Sequence, residues 1–404
     1  MWKPLIEDDA KRAHVQRTVT DITKALEAKP SATPFEAADH ALLRSYLAAS
    51  PVAGIFPDAA DIAGRKLAEA IKRFAGDPAL GLFGGGCRIG WTLAHLASRE
   101  VAGDACDRLD HMLDKALSGW IGDYDLCSGL VGFGVYALER GEAGRPLALR
   151  VLDHLDRLAT VHGGGIAWHT APELLPERHL DVAPDGYWNL GLAHGVPGAI
   201  ALLARFVGAG IDVARSRALL DGAIRFLLAA APAADNLHGR YPTWLPSDKP
   251  ASPRLAWCYG DLGVATALLG ASIHANELTL RTEGLALARA CASRTLEQAA
   301  IHDAGICHGA AGVAHLFHRM ARATGDATLM QAARAWIDEV LRMRSDTGLG
   351  GYARVYEQAG ELQFDDDATL LTGAAGTALV LHAAISELEP AWDRLLLVDF
   401  PATS

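Results

Sequence analysis

The sequence predicts an all-α fold, an α/α toroid in which an outer ring of helices surrounds an inner ring. A glycine-rich turn recurs along the chain, and each copy runs directly into an apolar segment. Amphipathic stretches with helical spacing lie between the copies, and strand signals are sparse. We expect residues 1–404 to form a single domain, with a small irregular or β insert at 161–190.

The turns have the form Gly-x-x-Gly and are predicted to open the inner helices. A looser copy at 86–90 precedes five clear ones, which start 49 to 66 residues apart. The five begin at Gly129, Gly195, Gly260, Gly309 and Gly373. This spacing is enough for a helical hairpin and its loops. Glycine lets the backbone approach a neighbour closely and removes the restriction on φ. A dinucleotide-binding site is disfavoured, because the turns lack the preceding strand and the following acidic residue.

The outer helices are predicted from the amphipathic stretches that separate the turns. Apolar residues recur there at helical spacing, so one face is expected to pack on the inner ring. Clear examples lie at 60–76, 146–160, 217–231, 282–298 and 330–344. The segment up to Ser50 also has a helical pattern, and we expect it to close the ring.

The segment 161–190 interrupts this rhythm. It is rich in Gly, Pro and His and lacks helical periodicity. Long irregular segments in compact domains are often functional. A second Pro-rich stretch, 241–253, ends just before one of the turns and is expected to line the same opening.

Composition excludes several classes of function. The net charge is −11 and no basic block is present, which argues against nucleic-acid binding. No apolar run is long enough to span a membrane, and the first residues lack the apolar core of a signal peptide. Six scattered cysteines fit a cytoplasmic chain with reduced thiols better than a secreted disulfide scaffold.

The turns at Trp257–Gly263 and Ile306–Gly312 have the longer form x-C-x-G-x-x-G. They supply Cys258, Cys307 and His308, which are ligand types that Zn²⁺ prefers. Three protein ligands would leave the open position that a catalytic zinc needs. The alternative is that the cysteines only pack in the core. Their equivalent positions favour a shared site, since equivalent turns of a ring face one end.

Three further residues flank equivalent turns. His194 directly precedes Gly195, where it could exchange a proton near neutral pH or serve a structural role. Asp125 lies four residues before Gly129, and it could orient an acid/base partner or cap the helix. Arg254 lies four residues before Cys258, and it could stabilise developing negative charge or pair with a surface carboxylate.

Other candidates carry less weight. The acidic run 365–367 could bind a cation, but a solvated or helix-capping run is the commoner arrangement. Either Cys87 or Cys127, which also lie near turns, could supply a further ligand. We expect three histidines near Cys307 to be structural, and two in the insert could meet substrate. The first group is His302, His315 and His318, and the second is His169 and His179.

The motifs Ala193-His194-Gly195, Trp257-Cys258-Tyr259-Gly260 and Cys307-His308-Gly309 resemble the signature of the LanC lanthipeptide cyclases. The resemblance extends over nearly the whole chain. It implies an α/α toroid with one catalytic Zn²⁺ per chain. By motif, Cys258, Cys307 and His308 correspond to the zinc ligands.

The same resemblance assigns catalytic roles. His194 corresponds to the acid/base histidine, and Asp125, Arg254 and Tyr259 match further residues of the family's site. The implied reaction adds a precursor-peptide cysteine to dehydroalanine or dehydrobutyrine, forming a thioether ring. Zinc would ionise the cysteine thiol, whose ordinary pKa is about 8.5. His194 would then protonate the α-carbon, and Arg254 would stabilise the enolate.

The implied substrate is a dehydrated precursor peptide with leader and core. No dehydratase region precedes the cyclase part, so a separate dehydratase is expected, with an exporter as a further partner. The location would be cytoplasmic or peripheral at the membrane. Two alternatives stay open: addition of glutathione to dehydroamino acids, and a non-catalytic peptide-binding toroid with structural zinc. Protein prenylation is disfavoured, because that chemistry uses an Asp/Cys/His ligand set and a partner subunit.

Overall fold

The structure is a computed structural model that describes residues 2–50, 54–74, 78–231, 239–247, 251–358 and 360–400. The chain divides into two compact units. The first comprises Met1–Gly76, Ala300–Trp392 and Ala402–Ser404, and the second comprises Asp77–Ala299 and Asp393–Pro401.

Helices dominate the described part of both units. In chain order they are α1 (Asp9–Ala28), α2 (Pro34–Ala48), α3 (Ala59–Phe74), α4 (Gly86–Leu96), α5 (Arg99–Leu117), α6 (Leu130–Glu139), α7 (Arg145–Leu158), α8 (Glu177–Leu180), α9 (Val196–Gly208), α10 (Val213–Ala229), α11 (Asp261–His274), α12 (Leu278–Ala292), α13 (Leu296–Ala299), α14 (Ala310–Thr324), α15 (Ala327–Arg342) and α16 (Ala374–Ile385). The strands are β1 (Thr160–His162), β2 (Gly165–Ala167), β3 (Trp188–Asn189), β4 (Trp244–Leu245), β5 (Arg354–Gln358) and β6 (Glu361–Asp365).

In the second unit, the helices that follow the turns form a continuous row. Helix α4 packs on α6, α6 on α9, and α9 on α11. Each also packs on the next long helix in the sequence, which gives the pairs α4–α5, α6–α7, α9–α10 and α11–α12. Helices α9 and α11 are buried on nearly all sides, whereas α7 buries only one face. The predicted alternation of apolar and amphipathic helices is therefore present in this unit.

The first unit repeats the arrangement with helices from both ends of the chain. Helix α16 packs on α14 and on α2, and its amphipathic partner is α1. The pairs α14–α15 and α2–α3 complete the unit. The helical pattern predicted up to Ser50 is confirmed as α1 and α2. Trp2 fixes the start of the chain, because its indole N–H donates to the carbonyl of Ala383 at 3.0 Å.

Close backbone approach explains the glycines of the turns. A Cβ on the second glycine would lie within 2.5 Å of the carbonyl oxygen six residues earlier, closer than real Cβ contacts allow. This holds for the pairs Gly132–Leu126, Gly198–Leu192, Gly263–Trp257, Gly312–Ile306 and Gly376–Leu370. A positive φ matters only at Gly260, where φ is 84°; the first glycines of the other four clear turns have ordinary extended backbone.

The looser first copy of the turn begins one residue earlier than the sequence predicts. Gly85, not Gly86, is the N-cap of α4, and Arg88 occupies the place of the second glycine. The hydrogen bond from the amide of Gly86 to the carbonyl of Ala79 corresponds to that from Leu130 to Asp123. The turn geometry is thus retained without the second glycine.

The predicted insert has little regular structure. Strands β1 and β2 form a short hairpin, and a 3₁₀ turn and the single turn of α8 follow. Strand β3 at its end pairs antiparallel with β4, which lies in the Pro-rich stretch 241–253. The two irregular segments are therefore joined. No helix in the described part of the chain has the length and hydropathy to cross a membrane.

Candidate active site

Backbone hydrogen bonds join equivalent turns of the second unit side by side. The amide of Phe83 donates to the carbonyl of Cys127 at 2.9 Å, and the amide of Leu126 donates to Ala193 at 3.2 Å. The amide of Ala193 donates in turn to the carbonyl of Cys258 at 3.3 Å. The turns that carry Asp125, His194 and Cys258 are therefore neighbours, as the repeat pattern predicts.

Asp125 orients His194. One carboxylate oxygen of Asp125 lies 2.6 Å from Nδ1 of the imidazole. The other oxygen accepts from the amide of Ser128 at 2.8 Å and from its hydroxyl at 3.0 Å. The buried Asp125 therefore orients His194, which is one of the two uses that the sequence suggests. It does not cap α6, whose N-cap is Gly129, but closes the turn before that helix.

Electrostatics favour the protonated form of His194. Burial lowers the pKa of the imidazole, but the hydrogen bonds to Asp125 and Cys127 outweigh it and raise the pKa to about 11. The thiol of Cys127 lies 3.8 Å from Nε2. The His194 side chain retains 41% of its exposure, so it is open to other molecules. His194 is thus suited to donate a proton at neutral pH.

Cys127, His194 and Asp125 form a hydrogen-bonded chain, which we do not interpret as a metal site. Their donor atoms lie within 4.8 Å of one another. The 2.6 Å between Nδ1 and the carboxylate is a hydrogen-bond length and indicates a shared proton. Burial raises the pKa of the Cys127 thiol, so this residue is a neutral neighbour of His194 near pH 7.

Tyr259 packs beside His194. The two rings are stacked with centroids 5.9 Å apart, and the Tyr259 hydroxyl accepts a hydrogen bond from the Asn189 side-chain amide at 3.3 Å. Burial raises the pKa of Tyr259, which keeps the phenol protonated. Its hydroxyl proton therefore stays available for donation.

Arg254 has an unused donor. Its Nε is buried, and no group in the described part of the chain accepts its hydrogen bond. The alternative of a surface carboxylate partner finds no support among those residues. The residue as a whole is half-buried, and a guanidinium suits an anionic ligand.

The candidate zinc ligands belong to both units. Cys258 lies in the second unit, and Cys307 and His308 lie in the first, where the amides of Ile306 and Cys307 both donate to the carbonyl of Leu371 at 2.8 Å. All three side chains are half-buried, and neither cysteine forms a disulfide with another residue in the described part of the chain. Two accessible thiols and an imidazole are a donor set that suits Zn²⁺.

A cavity of about 590 Å³ in the second unit opens onto Asp125, His194 and Tyr259. The insert forms one wall, through Thr170, the segment 174–179 and Tyr187. Across from it, Trp244 stacks on Tyr187 with ring centroids 5.2 Å apart. The prediction that 161–190 and 241–253 line one opening is consistent with this cavity.

The weaker candidates separate into two groups. His179 lines the cavity, whereas His169 packs on Trp188 with ring centroids 4.8 Å apart. His315 and His318 are buried against Trp392 and Trp2, His302 is exposed, and Cys87 is buried in α4. Asp366 pairs with Lys29 at the surface, as expected of a solvated run, and Asp367 closes its own turn by accepting from the amide of Thr369. The N-cap of α16 is Gly373, so the run does not cap this helix.

Sequence reasoning underestimated two residues. Leu126-Cys127-Ser128-Gly129 opens a segment of the same x-C-x-G-x-x-G form as the other two cysteine turns, and that pattern could have placed Cys127 beside His194. Asp123 also lines the cavity, and nothing in the sequence distinguishes it from a turn-capping carboxylate.

Comparison with known proteins decides the family. The sequence profile of the family described as "Lanthionine synthetase C-like protein" matches residues 42–397. The chain belongs to the lanthionine synthetase C-like family. No curated protein matches the sequence significantly.

A solved structure described as nisin cyclase is similar to this lanthionine synthetase C-like chain. The TM-score is 0.75 at 19% sequence identity, and the match covers 97% of this chain and 98% of that one. At this identity the likeness shows the fold. The predicted fold class, an all-α toroid with a small insert, is therefore confirmed.

Proposed function

We propose that this protein is a zinc-dependent lanthipeptide cyclase. It would add cysteine thiols of a dehydrated precursor peptide to dehydroalanine or dehydrobutyrine residues of the same peptide, forming lanthionine and methyllanthionine rings. The observation that carries the proposal is the hydrogen-bonded pair of Asp125 and His194 in a chain of this family. The turn that holds His194 is hydrogen-bonded to the turn that holds Cys258.

We propose Cys258, Cys307 and His308 as the ligands of one zinc ion. Their equivalent positions in the turns, their accessibility and their chemistry support this assignment. When bound, zinc would supply the positive charge that makes a substrate thiol acidic near neutral pH.

The protein's own residues would manage the proton and the developing charge. Addition of a thiolate to the β-carbon places negative charge on the α-carbon and its carbonyl oxygen. His194, protonated because of Asp125, would donate its proton to the α-carbon. The Arg254 guanidinium would stabilise the enolate oxygen, and Tyr259 would fix the imidazole by stacking.

The proposal also covers the surroundings of the reaction. The precursor peptide would reach the site as leader plus core, after a separate dehydratase has acted. We place the reaction in the cytoplasm, with an exporter as a further partner at the membrane.

A second candidate function uses the same site on a different thiol. Addition of glutathione to dehydroamino acids would need the same acid, and the open cavity beside His194 would admit a separate small thiol. The accessible zinc-ligand candidates, which would leave a coordination position open, favour either enzyme over a binding protein with structural zinc.

A short peptide with one cysteine and one dehydroalanine tests the proposal. We expect the wild type to convert it to a thioether ring of unchanged mass and to leave glutathione unused. His194→Ala should slow ring formation by about 10²-fold or more, the typical contribution of a general acid. His111→Ala, which removes an exposed histidine of the same unit, is the control and should match the wild type. Glutathione adducts in place of rings would favour the second candidate.

A further inference from the structure

In three of the glycine-rich turns, the residue six positions before the first glycine stabilises the turn through its side chain. Asn189 and Asp303 each accept a hydrogen bond from the backbone amide two residues later, at 2.9 and 3.0 Å. Asp367 does the same for Thr369 at 2.7 Å. This pairing is an Asx turn, and it is the ordinary use of such a residue.

Asp123 occupies the equivalent place but does not make this bond. The amide of Leu130 donates to its carbonyl, as Ala310 and Ala374 do to Asp303 and Asp367. Its carboxylate instead accepts from the adjacent amide of Tyr124 at 2.7 Å and from the hydroxyl of Thr170, 3.2 and 3.3 Å from its two oxygens.

In this turn Asp125 makes the stabilising hydrogen bonds instead, because its carboxylate accepts from the amide and the hydroxyl of Ser128. Asp125 therefore has both oxygens engaged, by Ser128 and by His194. Asp123 is half-buried and lines the same cavity, and no Lys or Arg in the described part of the chain forms an ion pair with it. Of the two carboxyl groups that line this cavity, Asp123 is therefore the one that can gain and lose a proton.

We propose that Asp123 is a second proton-exchanging group of the active site, held over the cavity by Thr170 of the insert. The inference rests on the proposed function and extends it. Asp123 would accept the proton of the substrate thiol as that thiol ionises, and would later return it to His194.

The proton balance closes in one turnover. The S–H bond breaks and its proton passes to the Asp123 carboxylate; the sulfur–β-carbon bond forms as the α–β π bond breaks. His194 gives its proton to the α-carbon. The Asp123 carboxylic acid then reprotonates His194, so the site returns to its starting state and no proton is exchanged with solvent.

The surroundings of Asp123 support this role. Burial and the negative charge of Asp125 raise the pKa of Asp123 to about 6, against the lowering effect of its hydrogen bonds from Tyr124 and Thr170. The titratable or charged groups that face it or the shared cavity are Tyr124, Asp125, His194, Tyr187, Arg178, His179 and Tyr259. An acid with a pKa near the working pH exchanges protons in both directions.

The pH profile of ring formation tests the proposal. In the wild type we expect kcat/KM to fall below pH of about 6, because protonated Asp123 cannot accept the thiol proton. Asp123→Asn should lower kcat/KM by about 10²-fold and abolish that limb. Thr170→Val removes a hydrogen bond that lowers the pKa, so the limb should move to higher pH. Asp181→Asn, an exposed carboxylate of the insert, should keep the wild-type profile.

A second readout does not depend on cyclase activity. This readout is the chemical shift of the His194 resonance in protein labelled with ¹³Cε1-histidine, and His194→Gln assigns that resonance. The chemical shift should change in a step near pH 6, which reports the titration of Asp123. The step should vanish in Asp123→Asn. A wild type that forms no rings would contradict the proposed function alone. Absence of the step, or an Asp123→Asn variant with an unchanged pH profile, would overturn the role of Asp123.

Discussion

Asp125 combines two tasks that usually fall to separate residues. One oxygen closes the turn through Ser128, and the other fixes His194. Because the turn is rigid, the carboxylate has little freedom to leave the imidazole. The consequence is a histidine that holds its proton well above its ordinary pKa of about 6.5.

Replacing Asp125 by Asn should therefore change the ionisation of His194. The variant keeps an oxygen for Ser128 but loses the charge, so the pKa of His194 should fall from about 11 to a value nearer 6.5. Histidine NMR titration measures this directly. An unchanged midpoint for His194 would show that Asp125 does not control it.

The same pair makes stability depend on pH. His194 has a raised pKa in the folded state, so its contribution is complete below about pH 6.5 and is lost as pH rises toward 11. As the pH rises over this range, the melting temperature of the wild type should therefore fall more than that of Asp125→Asn. Parallel melting curves for the two proteins would contradict the expected linkage.

The helices that follow the five clear turns begin where a glycine passes against the backbone of its own turn. At Gly376 a Cβ would lie 1.9 Å from the carbonyl oxygen of Leu370, so any side chain must displace the start of α16. The turn can form only where this position has no side chain, which explains why the Gly-x-x-Gly pattern recurs so regularly in the sequence.

Gly376→Ala should lower the free energy of unfolding by about 1–3 kcal/mol or more, the usual cost of overpacking a tight site. Gly64→Ala is the matched control. Gly64 lies in α3 with no atom within 4 Å of the added Cβ, so alanine should stabilise by about 0.5–1 kcal/mol. Urea unfolding of both variants is the measurement, and equal effects would refute the steric explanation.

Asp261 joins α11 to the Pro-rich stretch. Its carboxylate accepts from the amides of Arg240 and Tyr241 at 3.0 and 2.9 Å and pairs with Arg294. It lies three residues after Cys258, so it holds the base of that turn.

Asp261→Ala should destabilise the protein by about 3–5 kcal/mol, because the largely enclosed Arg294 guanidinium loses its carboxylate and the two amides lose their acceptor. Asp261→Asn, which retains acceptors for the two amides, should cost less. Denaturant unfolding gives both values. Equal losses would show that charge pairing with Arg294 contributes little.

The repeat pattern made the fold predictable because each copy reports the same steric constraint. It also predicted that the turns of His194 and Cys258 would be neighbours. It could not show that Asp123 is released from its turn, since Asp303 and Asp367 carry the same residue at the same offset and bind their own backbone. That difference depends on Thr170, which lies in the insert and has no periodic signal.

Across the whole molecule, ligands from distant parts of the sequence are proposed to serve one ion. The repeat gives Cys258 and Cys307 equivalent positions, while only the second is followed by a histidine. If the two turns share a zinc ion, the loss of either cysteine should have the same consequence.

Zinc content by elemental analysis tests this central claim most directly. We predict about one zinc per chain in the wild type and in Cys291→Ala, which removes a buried cysteine of α12. Both Cys258→Ala and Cys307→Ala should lose it while remaining folded. Full zinc content in either of these two variants, or none in the wild type, would contradict the account.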